Sequence, residues 1–241
     1  RFIALNSSYA DRMQKILYCG QDRVTVIPHG IDPDGFPKKS PDLMARRASR
    51  GDRRVIGYLA RACPEKGLDQ VIRATALLVE KGMDVELVAA GATIPAEEEY
   101  LSGCHRLAEE LGVSRRFHWQ GQVDRNSKMK LLNEIDVFVM PTPVPEAKGI
   151  PVIEAMASGV PVVASASGAF PELLGIQEPM PAGEVHIPGD IPDLTRCIEK
   201  VLRDETFAAE LGLAGHTRVT QRYQSHHMAA AHESLYEDMQ T

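Results

Sequence analysis

The sequence predicts an α/β domain in which helices cover both faces of a parallel sheet. Two patterns indicate this fold: short runs that are apolar throughout, and longer stretches between them in which apolar residues recur every three to four positions. Continuously apolar strands are typical of sheets buried on both sides, and a helix between successive strands makes those strands parallel. With 241 residues, 44% of them hydrophobic, the chain is long enough to bury one large core.

The individual elements follow from these two periodicities. Strands are predicted at residues 2–5, 23–27, 55–60, 85–90, 117–119, 137–140 and 160–164. Helices are predicted at residues 7–18, 68–79, 101–111, 127–133, 150–158, 191–202, 207–223 and 226–239. Ser7 and Ser8 are expected to cap the first helix. Residues 32–52, rich in Pro, Lys and Arg, are expected to form an exposed connection.

Composition excludes several classes of function. A net charge of −6 argues against a nucleic-acid-binding protein, because such proteins need a basic face to displace counterions from phosphates. No apolar run approaches the roughly 20 residues of a membrane-spanning helix, and no signal peptide is recognisable. The sequence starts with Arg, and its first residues already have the pattern of a strand, so we expect a further segment upstream. Membrane attachment through that segment remains an alternative.

The four cysteines, Cys19, Cys63, Cys104 and Cys197, lie far apart in the sequence. Their spacing matches neither a zinc site nor a disulfide framework, and Cys104 and Cys197 fall on apolar helix faces where a small buried side chain is expected. The eight histidines show no ligand pattern and are expected to be incidental. We therefore expect a cytoplasmic protein with no metal and no cofactor.

The segment after the predicted strand 137–140 combines an anion site with two carboxylates. Gly149 allows the backbone to approach a ligand closely, and Pro151 suits the first turn of the following helix. The amino end of that helix offers free amides and a positive dipole to an anion such as a diphosphate. Glu154 and Glu146 can accept hydrogen bonds from vicinal hydroxyls, although each alone is also explained as a solvated charge. Together they indicate a site for a nucleoside diphosphate sugar.

These residues belong to a longer motif. Glu146 and Glu154, eight positions apart and followed by residues 155–163 (AMASGVPVV), resemble the signature of the family 4 retaining glycosyltransferases of the GT-B fold. Further matches in the same order are residues 26–32 (VIPHGID), 57–67 (GYLARACPEKG), 119–123 (WQGQV) and 169–172 (AFPE). The resemblance covers most of the chain from Phe2 to about Tyr223. It implies a Rossmann-like C-terminal domain of that fold.

The resemblance also implies roles for single residues around the leaving group. Arg61 and Lys66 would clamp the diphosphate and stabilise it as it departs, without an essential metal. Glu146 would hold the donor sugar near the reacting carbon, and acceptor attack on the same face would retain the configuration. We see no carboxylate pair that must serve as the acid and nucleophile of a hydrolase.

Other matching positions would bind the rest of the donor. Glu154 would hold the ribose hydroxyls, and Gly121 to Val123 would meet the base through the backbone. The amides of Gly149 and Ile150 would contact the sugar or the phosphates. Lys148 departs from the family pattern, which has an aromatic residue here; it influences the choice of sugar, pairs with an anionic group, or points to solvent.

The resemblance divides the chain into three parts. Residues 1–32 would be the last strand and helix of an N-terminal domain with an entry segment, residues 33–223 the nucleotide-sugar-binding domain, and residues 224–241 a helix that crosses back. The acceptor, a glycan or lipid-linked glycan such as a cell-envelope polysaccharide or lipopolysaccharide, would bind through the N-terminal domain. We therefore expect this chain to bind donor without efficient transfer, and the full-length protein to lie in the cytoplasm or at the inner membrane surface.

Three alternatives remain at this point. A non-catalytic nucleotide-sugar-binding module would need the same residues, since Glu146, Glu154, Arg61 and Lys66 serve either protein. A UDP-sugar epimerase of the same fold would use the same kind of cleft. A dinucleotide-dependent dehydrogenase is disfavoured because no strand is followed by GxGxxG.

Overall fold

A six-stranded parallel sheet with the order β5-β4-β3-β6-β7-β8 forms the centre of the computed structural model, which describes residues 1–36 and 51–239. The parallel register runs through every neighbouring pair, as in Ile56 opposite Leu87 and Phe138 opposite Val162. Its strands are β3 (Arg54–Leu59), β4 (Val85–Ala90), β5 (Phe117–Trp119), β6 (Val137–Met140), β7 (Val162–Ser165) and β8 (Gly183–His186). The predicted parallel sheet is thus confirmed.

Helices flank this sheet, as predicted. Their bounds are α1 (Ser7–Leu17), α2 (Leu68–Glu80), α3 (Glu98–Glu110), α4 (Arg125–Glu134), α5 (Ile150–Ala157), α6 (Phe170–Leu173), α7 (Ile191–Arg203), α8 (Glu205–Arg222) and α9 (Ser225–Asp238). Helix α2 packs against α3 and α7, while α5 packs against α8. Among the described residues, no helix is both long and apolar enough to cross a lipid bilayer.

The apolar periodicity explains which helix faces are buried. In α7 the fully buried residues Leu194, Cys197, Ile198 and Val201 recur at helical spacing and face the core. Cys104 of α3 is buried in the same way, and all four cysteines are free. The prediction that Cys104 and Cys197 act as small buried residues is therefore confirmed.

A second, two-stranded sheet lies near the start of the chain. Strand β1 (Phe2–Ala4) pairs in parallel with β2 (Val24–Val26), and α1 connects them. The expected cap of α1 at Ser7 and Ser8 is wrong, because Asn6 occupies the N-cap and its Oδ1 accepts a 2.9 Å hydrogen bond from the amide of Tyr9. An asparagine one position earlier satisfies the free amide equally well.

Two elements were not predicted, and one was shifted. Strand β8 and the four-residue helix α6 carry no clear apolar periodicity. The strand expected at residues 160–164 is observed at Val162–Ser165, because Pro161 has no amide to give to a sheet. The exposed connection expected at residues 32–52 lies largely outside the described residues.

Candidate functional site

The loops that follow β3 and β6 meet where the strand order reverses. The chain runs from β3 outward to β5 on one side and from β6 outward to β8 on the other. Ligands bind in the crevice at such a reversal, beyond the carboxyl ends of the strands. The two loops are in contact, since a Cβ added to Gly67 would lie 3.0 Å from the carbonyl oxygen of Pro141. The sequence-predicted residues on these loops are therefore neighbours.

Lys66 and Glu146 join the two loops through an ion pair. The ammonium of Lys66 contacts Oε2 of Glu146, and both side chains are largely buried. Oε1 of Glu146 accepts hydrogen bonds from the backbone amides of Ala147 (3.1 Å) and Lys148 (3.2 Å). Burial raises the pKa of the Glu146 carboxyl, but Lys66 and these amides outweigh burial and hold the pKa below its ordinary value. Glu146 is thus kept as a carboxylate.

Glu154 lies inside the first turns of α5, where 8% of the residue is exposed. Its Oε1 contacts the ammonium of Lys128 on α4, so this buried carboxylate also has a cationic partner. Asp124 is the N-cap of helix α4, and its side chain accepts a 2.8 Å hydrogen bond from the amide of Ser127. That cap sets the first turn of α4, and with it Lys128, beside α5.

Arg61 belongs to the same loop as Lys66 but has a different partner. Its guanidinium lies 3.2 Å from Oε1 of Glu97, in the turn that precedes α3. The Arg61 side chain is 48% exposed, whereas that of Glu97 is 11% exposed. Within residues 1–36 and 51–239, Oε2 of Glu97 is buried without a hydrogen-bond partner. Arg61 is therefore a half-exposed cation that is paired with a largely buried carboxylate.

Gly149 starts α5 in the left-handed conformation, with φ +63°. An added Cβ would lie 2.5 Å from Cδ1 of Leu173, so side-chain packing also requires glycine here. Ile150 follows as the first helical residue, and Pro151, which lacks an amide, occupies the next position. The amino end of α5 therefore opens toward the same crevice as Lys66 and Glu146, while the Lys148 side chain is exposed.

The predicted base-binding residues lie farther along the same sheet edge. Gly121 follows β5 with φ +70°, and its carbonyl accepts a 2.9 Å hydrogen bond from the amide of Gly91 after β4. Val123 is partly buried against the core. This loop is thus fixed to its neighbour through backbone groups.

The arrangement combines charges and donors that suit a polyol linked to an anion. Lys66 and Arg61 offer two cations, Glu146 and Glu154 offer acceptors for hydroxyl groups, and the amino end of α5 offers amides. Lys66 and Arg61 are each paired with a carboxylate. An incoming anion would compete with those carboxylates and release them to accept hydroxyls.

Sequence reasoning missed three residues of this region: Lys128, Glu97 and Asn6. Nothing in the spacing relates Lys128 to Glu154 or Glu97 to Arg61, because these pairs form between separate elements. A weak signal existed for Lys128, since its helix directly follows the predicted base-binding loop. Asn6 donates a 2.9 Å hydrogen bond from Nδ2 to the carbonyl oxygen of Ala147, a contact that no local pattern indicates.

Comparison with known proteins identifies a matching family model. The model described as "Glycosyl transferases group 1" matches residues 39–218. The GDP-mannose-dependent alpha-(1-6)-phosphatidylinositol monomannoside mannosyltransferase of Mycolicibacterium smegmatis is 33% identical over 198 residues, which cover 78% of this chain and 50% of that protein. The chain spans about half the length of the curated relatives it matches.

Solved structures share the fold over nearly the whole chain. Sucrose-phosphate synthase from Thermosynechococcus elongatus superposes with a TM-score of 0.82 at 25% identity, covering 98% of this chain and 57% of that one. Anabaena HepE in complex with UDP and glucose superposes with a TM-score of 0.82 at 23% identity, covering 99% of this chain and 62% of that one.

Proposed function

Because this chain belongs to the group 1 glycosyl transferase family, we propose that it forms the donor-binding part of a retaining, family 4 glycosyltransferase that uses a nucleoside diphosphate sugar. The observation that carries this proposal is the Lys66–Glu146 pair at the reversal of the sheet. An ammonium, which suits phosphate, and a carboxylate, which suits sugar hydroxyls, lie side by side there, beside the amino end of α5.

The donor would lie along the carboxyl edge of the sheet. The base would meet the backbone of residues 121–123, and Glu154 would accept hydrogen bonds from the ribose hydroxyls. The diphosphate would take Lys66 and Arg61 from their present carboxylate partners, with the amides of Gly149 and Ile150 as further donors. Glu146, released from Lys66, would then hold the sugar. Lys148, exposed beside it, would contact the sugar or its substituents.

In the proposed sugar transfer, negative charge would develop on the departing diphosphate. As the bond between the anomeric carbon and the diphosphate oxygen breaks, the two phosphates gain charge that Lys66 and Arg61 stabilise. The acceptor oxygen forms the new bond on the same face of the sugar, and its proton passes to the departing diphosphate. A donor site in a crevice with fixed cations provides this stabilisation without rearranging solvent.

The acceptor is proposed to bind elsewhere in a longer protein. We divide the chain into residues 1–32 as the end of a first domain, 33–223 as the donor domain, and 224–241 as a helix that crosses back. Curated relatives about twice as long include an enzyme named for a phosphatidylinositol mannoside, which favours a glycan or lipid-linked acceptor of the cell envelope. Donor binding without efficient transfer is therefore expected of this chain, in the cytoplasm or at the inner membrane surface.

Calorimetric titration tests the proposal. UDP, GDP and ADP are titrated first, followed by UDP-glucose and GDP-mannose, into the wild-type chain and Glu154→Ala. Glu109→Ala is the matched control, since Glu109 is an exposed carboxylate near the far end of α3. One nucleotide is expected to bind saturably, and Glu154→Ala to weaken it while Glu109→Ala does not. Equal binding by both variants would reject the assignment of Glu154, and efficient sugar transfer by the chain alone would reject the division into domains.

A further inference from the structure

The carbonyls of three consecutive residues at the Lys66–Glu146 pair are held from outside their own loop. Tyr9 donates from its hydroxyl to Pro145 (3.2 Å), the amide of Ala169 donates to Glu146 (2.8 Å), and Nδ2 of Asn6 donates to Ala147 (2.9 Å). Two of these three donors belong to the N-terminal segment, residues 1–20. The backbone on both sides of Glu146 is therefore fixed largely by that segment.

Asn6 carries out two tasks with one side chain. Its Oδ1 accepts the amide of Tyr9 and caps α1, while its Nδ2 reaches Ala147. Only 2% of Asn6 is exposed, so its amide cannot exchange these partners for water without cost. A third link strengthens the junction: Oε2 of Glu172, on α6, accepts a 2.8 Å hydrogen bond from the amide of Ser7.

Packing against residues near α6 supports the Glu146 loop on one side. Gly168 lies so close to Glu146 that an added Cβ would overlap the Glu146 backbone, and Leu173 packs against Gly149. These contacts limit the loop beside α6, and the hydrogen bonds from Asn6 and Tyr9 hold it from the N-terminal segment. A connection of about nine residues between β6 and α5 would otherwise sample several conformations.

We propose that Asn6 is a positioning residue for Glu146, so that the N-terminal segment sets the affinity for the sugar part of the donor rather than for its nucleotide. The inference rests on the proposed function, because it assigns the sugar to Glu146. Glu154 and residues 121–123 lie on other elements and do not depend on Asn6. A substitution at Asn6 should therefore change the binding free energy of the sugar part of the donor and leave that of the nucleotide part unchanged.

Two substitutions isolate the contact to Ala147 from the cap. Asn6→Asp keeps an oxygen for the amide of Tyr9, and aspartate is an equally good N-cap, but its second oxygen faces the Ala147 carbonyl and cannot donate. Asn6→Ser also keeps a cap but is too short to reach Ala147. Asp204→Asn is the matched control. Asp204 caps α8 through the amide of Phe207, so this variant also exchanges aspartate and asparagine at an N-cap, but at a different helix.

The test compares nucleotide with nucleotide sugar. UDP, UDP-glucose, GDP and GDP-mannose are titrated into wild type, Asn6→Asp, Asn6→Ser and Asp204→Asn. Either UDP and UDP-glucose or GDP and GDP-mannose are expected to bind. For that pair, Asn6→Asp is expected to lower the affinity for the nucleotide sugar about tenfold and to leave the affinity for the nucleotide unchanged. Equal affinities of wild type and Asn6→Asp for the sugar conjugate would overturn the proposal, as would equal weakening of both ligands.

Hydrogen exchange gives a readout that does not depend on donor binding. In Asn6→Asp the amides of residues 146–149 are expected to exchange faster, while those of α1 keep their wild-type protection. If wild type binds none of these four ligands and does not bind ADP, the proposed function fails, and the exchange data still decide whether Asn6 holds the loop. Unchanged exchange at residues 146–149 would show that it does not.

Discussion

Lys66 and Glu146 form an ion pair across the junction of the loops after β3 and β6, and neither side chain is more than 25% exposed. The pair links the strand that starts one half of the sheet to the strand that starts the other. A phosphate that binds Lys66 would compete with Glu146 for the ammonium. The two loops are therefore joined by charges that match each other.

Lys66→Met is expected to weaken nucleoside diphosphate binding by about tenfold to a hundredfold, the equivalent of one charge-assisted hydrogen bond. It should also raise the pKa of Glu146, because it removes the side-chain partner that lowers that pKa. Calorimetry measures the first effect, and carboxyl-selective NMR titration the second. Lys15→Met, an exposed lysine in the last turn of α1, is the control. Unchanged nucleotide affinity in Lys66→Met would remove this residue from the diphosphate site.

Lys128→Met is expected to lower the free energy of unfolding by about 1–3 kcal/mol, because it leaves the Glu154 carboxylate buried without its cation. Glu154→Gln, made in the wild-type protein, should lower the free energy of unfolding less than Lys128→Met does, since burying a neutral amide costs less than burying an unpaired charge. The double variant is therefore expected to be more stable than the sum of the two single losses predicts. Urea unfolding of all four proteins measures the coupling, and strict additivity would mean that the two side chains do not interact.

The sheet could be predicted from the sequence because its signal is local. Runs such as residues 137–140 are apolar at every position, and the stripe on α7 repeats at helical spacing, so neither depends on distant contacts. Strand β8 lacked that signal: it lies at the edge, contains Glu184 and His186, and forms because β7 offers it hydrogen bonds. Helix α6, with four residues, is shorter than any periodicity can reveal.

The candidate site also contains some residues that the sequence could predict and others that it could not. Glu146, Gly149 and Glu154 lie within one motif, so sequence alone could propose them. Their partners come from other elements: Lys128 from α4 and Asn6 from the N-terminal segment. Such contacts depend on how strands and helices are ordered in space, which local pattern does not specify.

Acid should weaken the contact between α8 and the segment after α6. Hydrogen bonds from Arg218, and then from Arg222, hold the pKa of Glu178 at about 2, below its ordinary 4.5. A carboxyl whose pKa is lowered by folding stabilises the protein above its unfolded pKa, and that contribution is lost as the pH falls through its folded pKa. The stability difference between wild type and Glu178→Gln is therefore expected to be constant above about pH 5 and to shrink from pH 4.5 toward pH 2.

Urea unfolding at pH 7, 4 and 3 measures this difference. Glu233→Gln, an exposed carboxylate on α9, is the control and should show no such trend. A difference that stays the same at all three pH values would contradict the assigned role of Glu178.

The centre of the sheet offers a test of packing rather than charge. Gly57 in β3 lies against Ile135, and an added Cβ would overlap Cδ1 and stand 2.7 Å from Cγ2. Ile135 is fully buried, so it has no free space to move into. Gly57→Ala is therefore expected to lower the free energy of unfolding by about 1–3 kcal/mol.

A second substitution checks that cause. Ile135→Val removes Cδ1 and should recover part of the loss when combined with Gly57→Ala, although alone it costs about 1 kcal/mol. Gly103→Ala is the control, because its added Cβ meets Arg106 only at 3.8 Å and alanine favours the helix. Thermal and urea unfolding measure all four variants. If Ile135→Val adds its full cost to that of Gly57→Ala, the overlap with Cδ1 is not what destabilises the sheet, and the closeness of the added Cβ to Cγ2 must account for the loss.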